Sequence, residues 1–145
     1  MITCAQVLRG TGLVCNGQFI VGSILDRDLV REAMKGVDFV FHLAAMVSVQ
    51  ESMQNPNECT EINAGGTALV LEEAALARVK KLTFSSSAAV YGDNPIMPKI
   101  ESMPAEPKSP YATSKYEVVP TKAREVITRP QFRLLLREQS ETSRL

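Results

Sequence analysis

A chain of 145 residues, 45% hydrophobic and 22% charged, has the length and apolar content of one globular domain with a single core. Sixteen basic residues balance sixteen acidic ones, so the charge calls for no nucleic acid and no anionic membrane as partner. No apolar run approaches the roughly 18 residues of a spanning helix, and the N-terminus lacks the basic-then-apolar order of a signal peptide, so the expected location is the cytoplasm.

Cys4, Cys15 and Cys59 are odd in number and show no CxxC spacing. That argues against a disulfide framework or a zinc site, and no metal is expected. Residues 1–17 contain Gly10, Gly12 and Gly17 but no clear strand-turn-helix order, and they read as a divergent N-terminal segment with turn glycines. Phe19 to Val21 is a short apolar run and predicts a strand. Asp26 or Asp28 can cap a following helix; Leu29, Val30 and Ala33 recur at helical spacing, and Gly36 stops it. From Val37 to Ala45 the chain is almost wholly apolar, as a central strand covered on both faces of a parallel sheet should be.

Residues 57–79 predict a long helix, rich in Ala, Leu and Glu between Ala64 and Ala77. Lys81 to Ser85 predicts a further strand, which runs into Ser85-Ser86-Ser87. Strands and helices in this alternation imply an α/β fold built on a doubly wound parallel sheet, with ligands beyond the carboxyl ends of the strands. Ala44-Ala45 and Ser85-Ser86-Ser87 lie at those ends. Prolines 95, 98, 104, 107 and 110 make residues 92–110 a long loop. Ser109-Pro110 is a helix start, with serine as cap and proline at the first helical position. Residues 120–145 are basic and polar, and prolines 120 and 130 interrupt any helix there.

Tyr111 and Lys115 are four residues apart and therefore share one helical face. The pair has a chemical use, because a neighbouring cation favours a phenolate, which can then take a proton from a hydroxyl. Ser87 stands 24 residues upstream, at a strand end where its hydroxyl could bond the same substrate oxygen. His42, the single histidine, lies inside a predicted strand and reads as structural.

In order along the chain come Phe41-His42-Leu43-Ala44-Ala45, Ser48-Val49-Gln50-Glu51-Ser52, Asn63 with Gly66-Thr67, the stretch from Ser85 to Gly92, and Ser109-Pro110-Tyr111 through Lys115. With these motifs residues 18–119 resemble the extended short-chain dehydrogenase/reductase family, the NAD-dependent epimerases and dehydratases, and within it the sugar-nucleotide 4-epimerases such as UDP-glucose 4-epimerase. The resemblance implies a Rossmann-like domain over 18–119, flanked by divergent segments 1–17 and 120–145. It also implies NAD as cofactor, with NADP not excluded, and a nucleotide sugar as substrate.

By position, the resemblance makes Tyr111 the catalytic base, Lys115 the residue that binds the nicotinamide ribose, and Ser87 the aid to proton transfer. Ser23, Ile24, Leu43, Ala44, Ala45 and Asn63 join Tyr111 and Lys115 as cofactor-binding positions, and Ser48, Ser87 and Tyr111 face the substrate. The implied reaction is a transient oxidation, in which hydride passes to bound NAD and returns to the opposite face of the sugar. A homodimer through the helix of Tyr111 and the long helix before the serine strand is a further expectation.

Two relatives in the family offer other activities. Dehydratases usually carry an acidic pair directly after the catalytic hydroxyl residue, where this chain has Ala88 and Ala89, so epimerase is preferred; a simple dehydrogenase is the other enzymatic alternative. The family opens with a strand and a glycine-rich turn that Gly10, Gly12 and Gly17 do not match, and an acidic-apolar pair near the adenine is replaced by Ser23-Ile24. These departures support a further alternative, a chain that keeps the fold and binds a nucleotide or a partner without turnover.

Overall fold

The computed structural model describes residues 3–7, 18–100, 102–117 and 132–135, with side chains described over 20–100 and 102–117. Gly10, Gly12, Gly17, Pro120 and Pro130 lie outside the described residues.

Strand β1 (Thr3–Val7) pairs antiparallel with β2 (Gln18–Gly22). Helix α1 (Arg27–Ala33) follows, and β3 (Phe39–His42), β4 (Lys81–Ser85) and β5 (Phe132–Leu135) form a parallel sheet in that order. Between β3 and β4 lie α2 (Val49–Gln54), α3 (Pro56–Thr60), a π turn (Glu61–Gly65) and α4 (Gly66–Leu76). Helix α5 (Pro110–Glu117) precedes β5.

Local signals act as their chemistry dictates. The Asp26 carboxylate accepts from the Leu29 N–H at 3.1 Å, satisfying one of the unpaired donors at the start of α1. Gly36, at φ 69°, takes the left-handed conformation that turns the chain into β3. Gly92, at φ 56°, passes so close to the Glu106 carbonyl that any Cβ would collide with it. The Glu106 N–H donates to Val90 O at 2.9 Å, so this glycine folds the proline-rich loop back onto the body.

Parallel register sets Val40 beside Leu82 and His42 beside Phe84 on one face of the sheet. That face holds the core, where Leu82 and Phe84 pack with Val30 of α1, with Met34 just after it, and with Val70, Leu71 and Ala74 of α4. Each fully buried aliphatic side chain of this kind contributes about 1.5–3 kcal/mol. Buried Glu73 fixes α1 to α4 by ion pairs with Arg27 at 2.7 Å and Arg31 at 3.1 Å. Hydrogen bonds from Arg31 and then Arg27 hold its carboxyl below the ordinary range against the effect of burial.

The structure differs from the sequence reading in several respects, among them the unpredicted helix α2. The predicted central strand stands at the edge of the parallel sheet among the described residues, with Phe39 62% and Phe41 72% exposed. Its apolar composition anticipated covering on two faces, but the helices around it pack against one. The predicted strand Phe19–Val21 pairs with β1 instead of joining β3, and neither β1 nor β5 was anticipated. Finally, the helix foreseen over 57–79 is continuous from Pro56 to Leu76 but contains a π turn at its middle.

Candidate active site at the carboxyl ends of β3 and β4

Three segments meet beyond the ends of the parallel strands: the loop after β3, the serine run after β4, and the first turns of α5. Each is held by a different kind of bond.

Asn63 fastens the first. In the π turn the Asn63 carbonyl accepts from the Thr67 hydroxyl at 2.5 Å, and the Asn63 side chain turns toward the loop after β3. Its Oδ1 accepts from the Met46 N–H at 2.7 Å, while its Nδ2 donates to the Met46 carbonyl at 3.0 Å and to Ser114 Oγ at 2.9 Å. The amide thus mimics a paired strand for Met46 and reaches α5 with the same nitrogen. A π turn at a functional position is a recurrent device for re-aiming one side chain.

Thr67 also meets His42. Because the threonine proton goes to Asn63 O, the His42 Nε2, at 2.8 Å from Thr67 Oγ1, must be the donor in that contact. Burial, reinforced by the charge of Lys115, lowers the His42 pKa to about 4, so the ring is neutral at neutral pH. The histidine is a strut between β3 and α4.

Lys115 secures the second segment. Its Nζ donates to the Ser85 carbonyl at 3.0 Å and lies 4.7 Å from the centre of the Phe84 ring. The side chain is 3% exposed, and burial lowers its pKa to about 8 against a smaller opposing influence of Cys59. At neutral pH it is therefore still mostly an ammonium. Two of its three N–H groups have no acceptor among the described residues and can serve a ligand's hydroxyls. Ser87 begins the short 3-10 turn Ala88–Tyr91, its Oγ accepting from the Ala89 N–H at 3.2 Å, and that turn packs against α5.

The third segment starts as predicted: Ser109 Oγ accepts from the Ala112 N–H at 3.1 Å, and Pro110 opens the helix. Tyr111 is half-buried with its ring against the core.

Of the other positions singled out in the sequence, Leu43 is 67% exposed and Ala44 and Ala45 are half-buried in the strand-end loop. Ser48 is exposed and caps α2, accepting from the Glu51 N–H at 3.1 Å. Ser23 is half-buried and accepts from the Leu25 N–H at 3.2 Å; Ile24 is a core residue packed where α4 begins at Gly66. Asn63 is 1% exposed beneath the loop. Ser52 and Ser114 escaped the sequence reading, since a buried serine has no local signal that separates it from an exposed one. Among the described residues no cluster of His, Cys, Asp and Glu could hold a metal ion, Cys59 is a buried free thiol, and no helix is long and apolar enough to cross a membrane.

Comparison with known proteins identifies the family to which this fold belongs. Residues 3–120 match the model of the NAD dependent epimerase/dehydratase family. The UDP-glucose 4-epimerase of Streptomyces lividans is 39% identical over 110 residues, 74% of this chain and 33% of the relative. Among solved structures, the UDP-glucose 4-epimerase of Brucella ovis in complex with NAD superposes with a TM-score of 0.74 at 30% identity, over 83% of this chain and 37% of that one. The enzyme of Bifidobacterium longum in complex with NAD+ and UDP gives 0.69 at 31%, over 79% and 35%. The chain spans about a third of the length of these relatives. Its Rossmann-like α/β fold and the match over most of its length place the chain in the NAD-dependent epimerase/dehydratase family.

Proposed function

We propose that this chain carries the catalytic and cofactor-facing part of a sugar-nucleotide 4-epimerase, with NAD as cofactor, NADP as the alternative, and a UDP-sugar as substrate. The observation that carries the reading is Lys115: a buried ammonium with spare donors, one helical turn from Tyr111 and bonded to the strand end that leads to Ser87. Those spare donors suit a pair of ribose hydroxyls, and the small side chains of Ala44 and Ala45 leave room for a dinucleotide over the strand end, so the residues present fit the cofactor.

Bound there, NAD supplies the hydride acceptor and donor that the inversion needs. Tyr111 takes the proton from the sugar hydroxyl and returns it, and Ser87 hydrogen-bonds the same oxygen. Lys115 holds the ribose and favours negative charge beside it. Leu43, Ala44 and Ala45 line the dinucleotide, Ser23 and Ile24 stand toward the adenine, Asn63 supports the cofactor side, and Ser48 faces the substrate. Ala88 and Ala89 offer no acid or base for eliminating water, which favours epimerase over dehydratase; a dehydrogenase of the same family is the other enzymatic alternative.

The proposal includes residues 18–119 as the working unit between divergent flanks, a cytoplasmic location, and a homodimer through α4 and α5, where exposed Leu76 and Tyr116 offer apolar surface. A second reading, binding of a nucleotide or partner without turnover, is favoured by the antiparallel pairing of β1 with β2.

Calorimetric titration with NAD and NADH tests the cofactor assignment. Saturable micromolar binding is expected, weakened by about 10- to 100-fold in Lys115→Met, which removes a charged hydrogen-bond donor. Absence of heat at millimolar cofactor would contradict the assignment and favour the second reading.

A further inference from the structure

We infer that Ser52 and Ser114 are positioning residues that hold the backbone of Tyr111 at both of its polar groups and so fix where its phenol stands. The first N–H groups of a helix have no partner within it. Ser109 serves two of its neighbours, its Oγ accepting from Ala112 N–H at 3.1 Å and its carbonyl from Thr113 N–H at 2.9 Å. The N–H of Tyr111 goes instead to another element, donating to Ser52 Oγ of α2 at 3.2 Å. Ser52 is fully buried, and its own proton is given to the Val49 carbonyl at 2.7 Å, which leaves an oxygen lone pair facing Tyr111.

At the other end of the same residue, the Tyr111 carbonyl accepts from Ser114 Oγ at 2.8 Å. Ser114 is 1% exposed and in turn accepts from Asn63 Nδ2 at 2.9 Å, with Cys59 Sγ at 3.8 Å. Both hydroxyls are shielded from water, so water cannot easily replace them. One is carried by α2, which starts directly after the strand-end loop, and the other is anchored to the π turn. Sliding α5 along its axis would strain the bonds from Tyr111 N–H to Ser52 and from Asn63 to Ser114 together, while the bond from Ser114 to the Tyr111 carbonyl travels with the helix. A displacement of about 1 Å at a reacting group can cost about 100-fold in rate, so two fixed points on the reacting residue have a catalytic use that ordinary helix packing does not require.

The kinetic side of this inference rests on the proposed epimerase activity; its structural side does not. On the whole chain, amide exchange at Tyr111 and Thr113 is followed by NMR in wild type, Ser52→Ala and Ser52→Thr, beside kcat and KM for UDP-glucose with saturating NAD. The expected result in Ser52→Ala is exchange at Tyr111 faster by about tenfold or more with Thr113 unchanged, and kcat lower by about 10- to 100-fold at constant KM. Ser52→Thr, which keeps the hydroxyl, should recover both. Unchanged exchange at Tyr111, equal acceleration along all of α5, or an unaltered kcat would overturn the inference. A wild type without turnover would overturn the epimerase reading, and exchange alone would then decide the mount. Should Ser52→Ala fail to fold, Ser114→Ala removes the link from the Tyr111 carbonyl to Asn63, and the same fall in kcat at constant KM is expected of it.

Discussion

Replacing Tyr111 by phenylalanine is expected to lower epimerase turnover by about 100- to 10,000-fold, the usual contribution of a positioned acid-base group. The substitution deletes one oxygen and keeps the ring, which packs against the core. NAD affinity is therefore expected to stay within about threefold and the unfolding midpoint to move little, since one hydroxyl on a half-buried residue adds about 1 kcal/mol or less. The pattern matters as much as the size. A matched loss of kcat and kcat/KM assigns the oxygen to the transition state, whereas a loss confined to KM would make Tyr111 a binding residue. Turnover close to wild type would remove it from the chemistry altogether.

The second large effect is on stability. Asn63→Ala is expected to destabilise the fold by about 3–5 kcal/mol, because it strands the Met46 N–H and C=O, each costing about 1–3 kcal/mol when buried without a partner. Met46 is 1% exposed, so water gives little relief. Against a total stability of about 5–15 kcal/mol, that is a large fraction. Urea unfolding monitored by circular dichroism reads the change. Asn63→Asp should also be strongly destabilised, since it keeps the acceptor for Met46 N–H but loses both donors and buries a charge. A loss below about 1 kcal/mol in Asn63→Ala would show that the loop after β3 is held by something other than this amide.

Where a local signal governed the structure, the sequence was enough. Lys81–Ser85 has the bounds expected of its apolar run, Asp26 caps α1, Gly36 ends its turn with a positive φ, and Ser109-Pro110 opens α5. The placement of Tyr111 and Lys115 on one helix was legible for the same reason, because their spacing is a property of a single element. What escaped depends on partners distant in sequence. The edge position of β3 follows from which strands find each other, and an apolar period cannot tell one covered face from two. The π turn needs the Thr67 hydroxyl and the Met46 backbone in place at once. Ser52 acquires its task from a helix start 59 residues away. Strands β1 and β5 lie in segments whose glycines and prolines pointed to turns, and their pairing, antiparallel with β2 and parallel with β4, is tertiary.

The most direct test of the proposed epimerase function is conversion of UDP-glucose carrying deuterium at C4 by the purified chain with saturating NAD, followed by NMR. The expected product is the C4 epimer, UDP-galactose, with the deuterium retained, because the hydride leaves and returns without exchange with water, and Tyr111→Phe is expected to give no product on the same time scale. No epimer from the wild-type chain, or an epimer whose C4 label has passed to solvent, would contradict it.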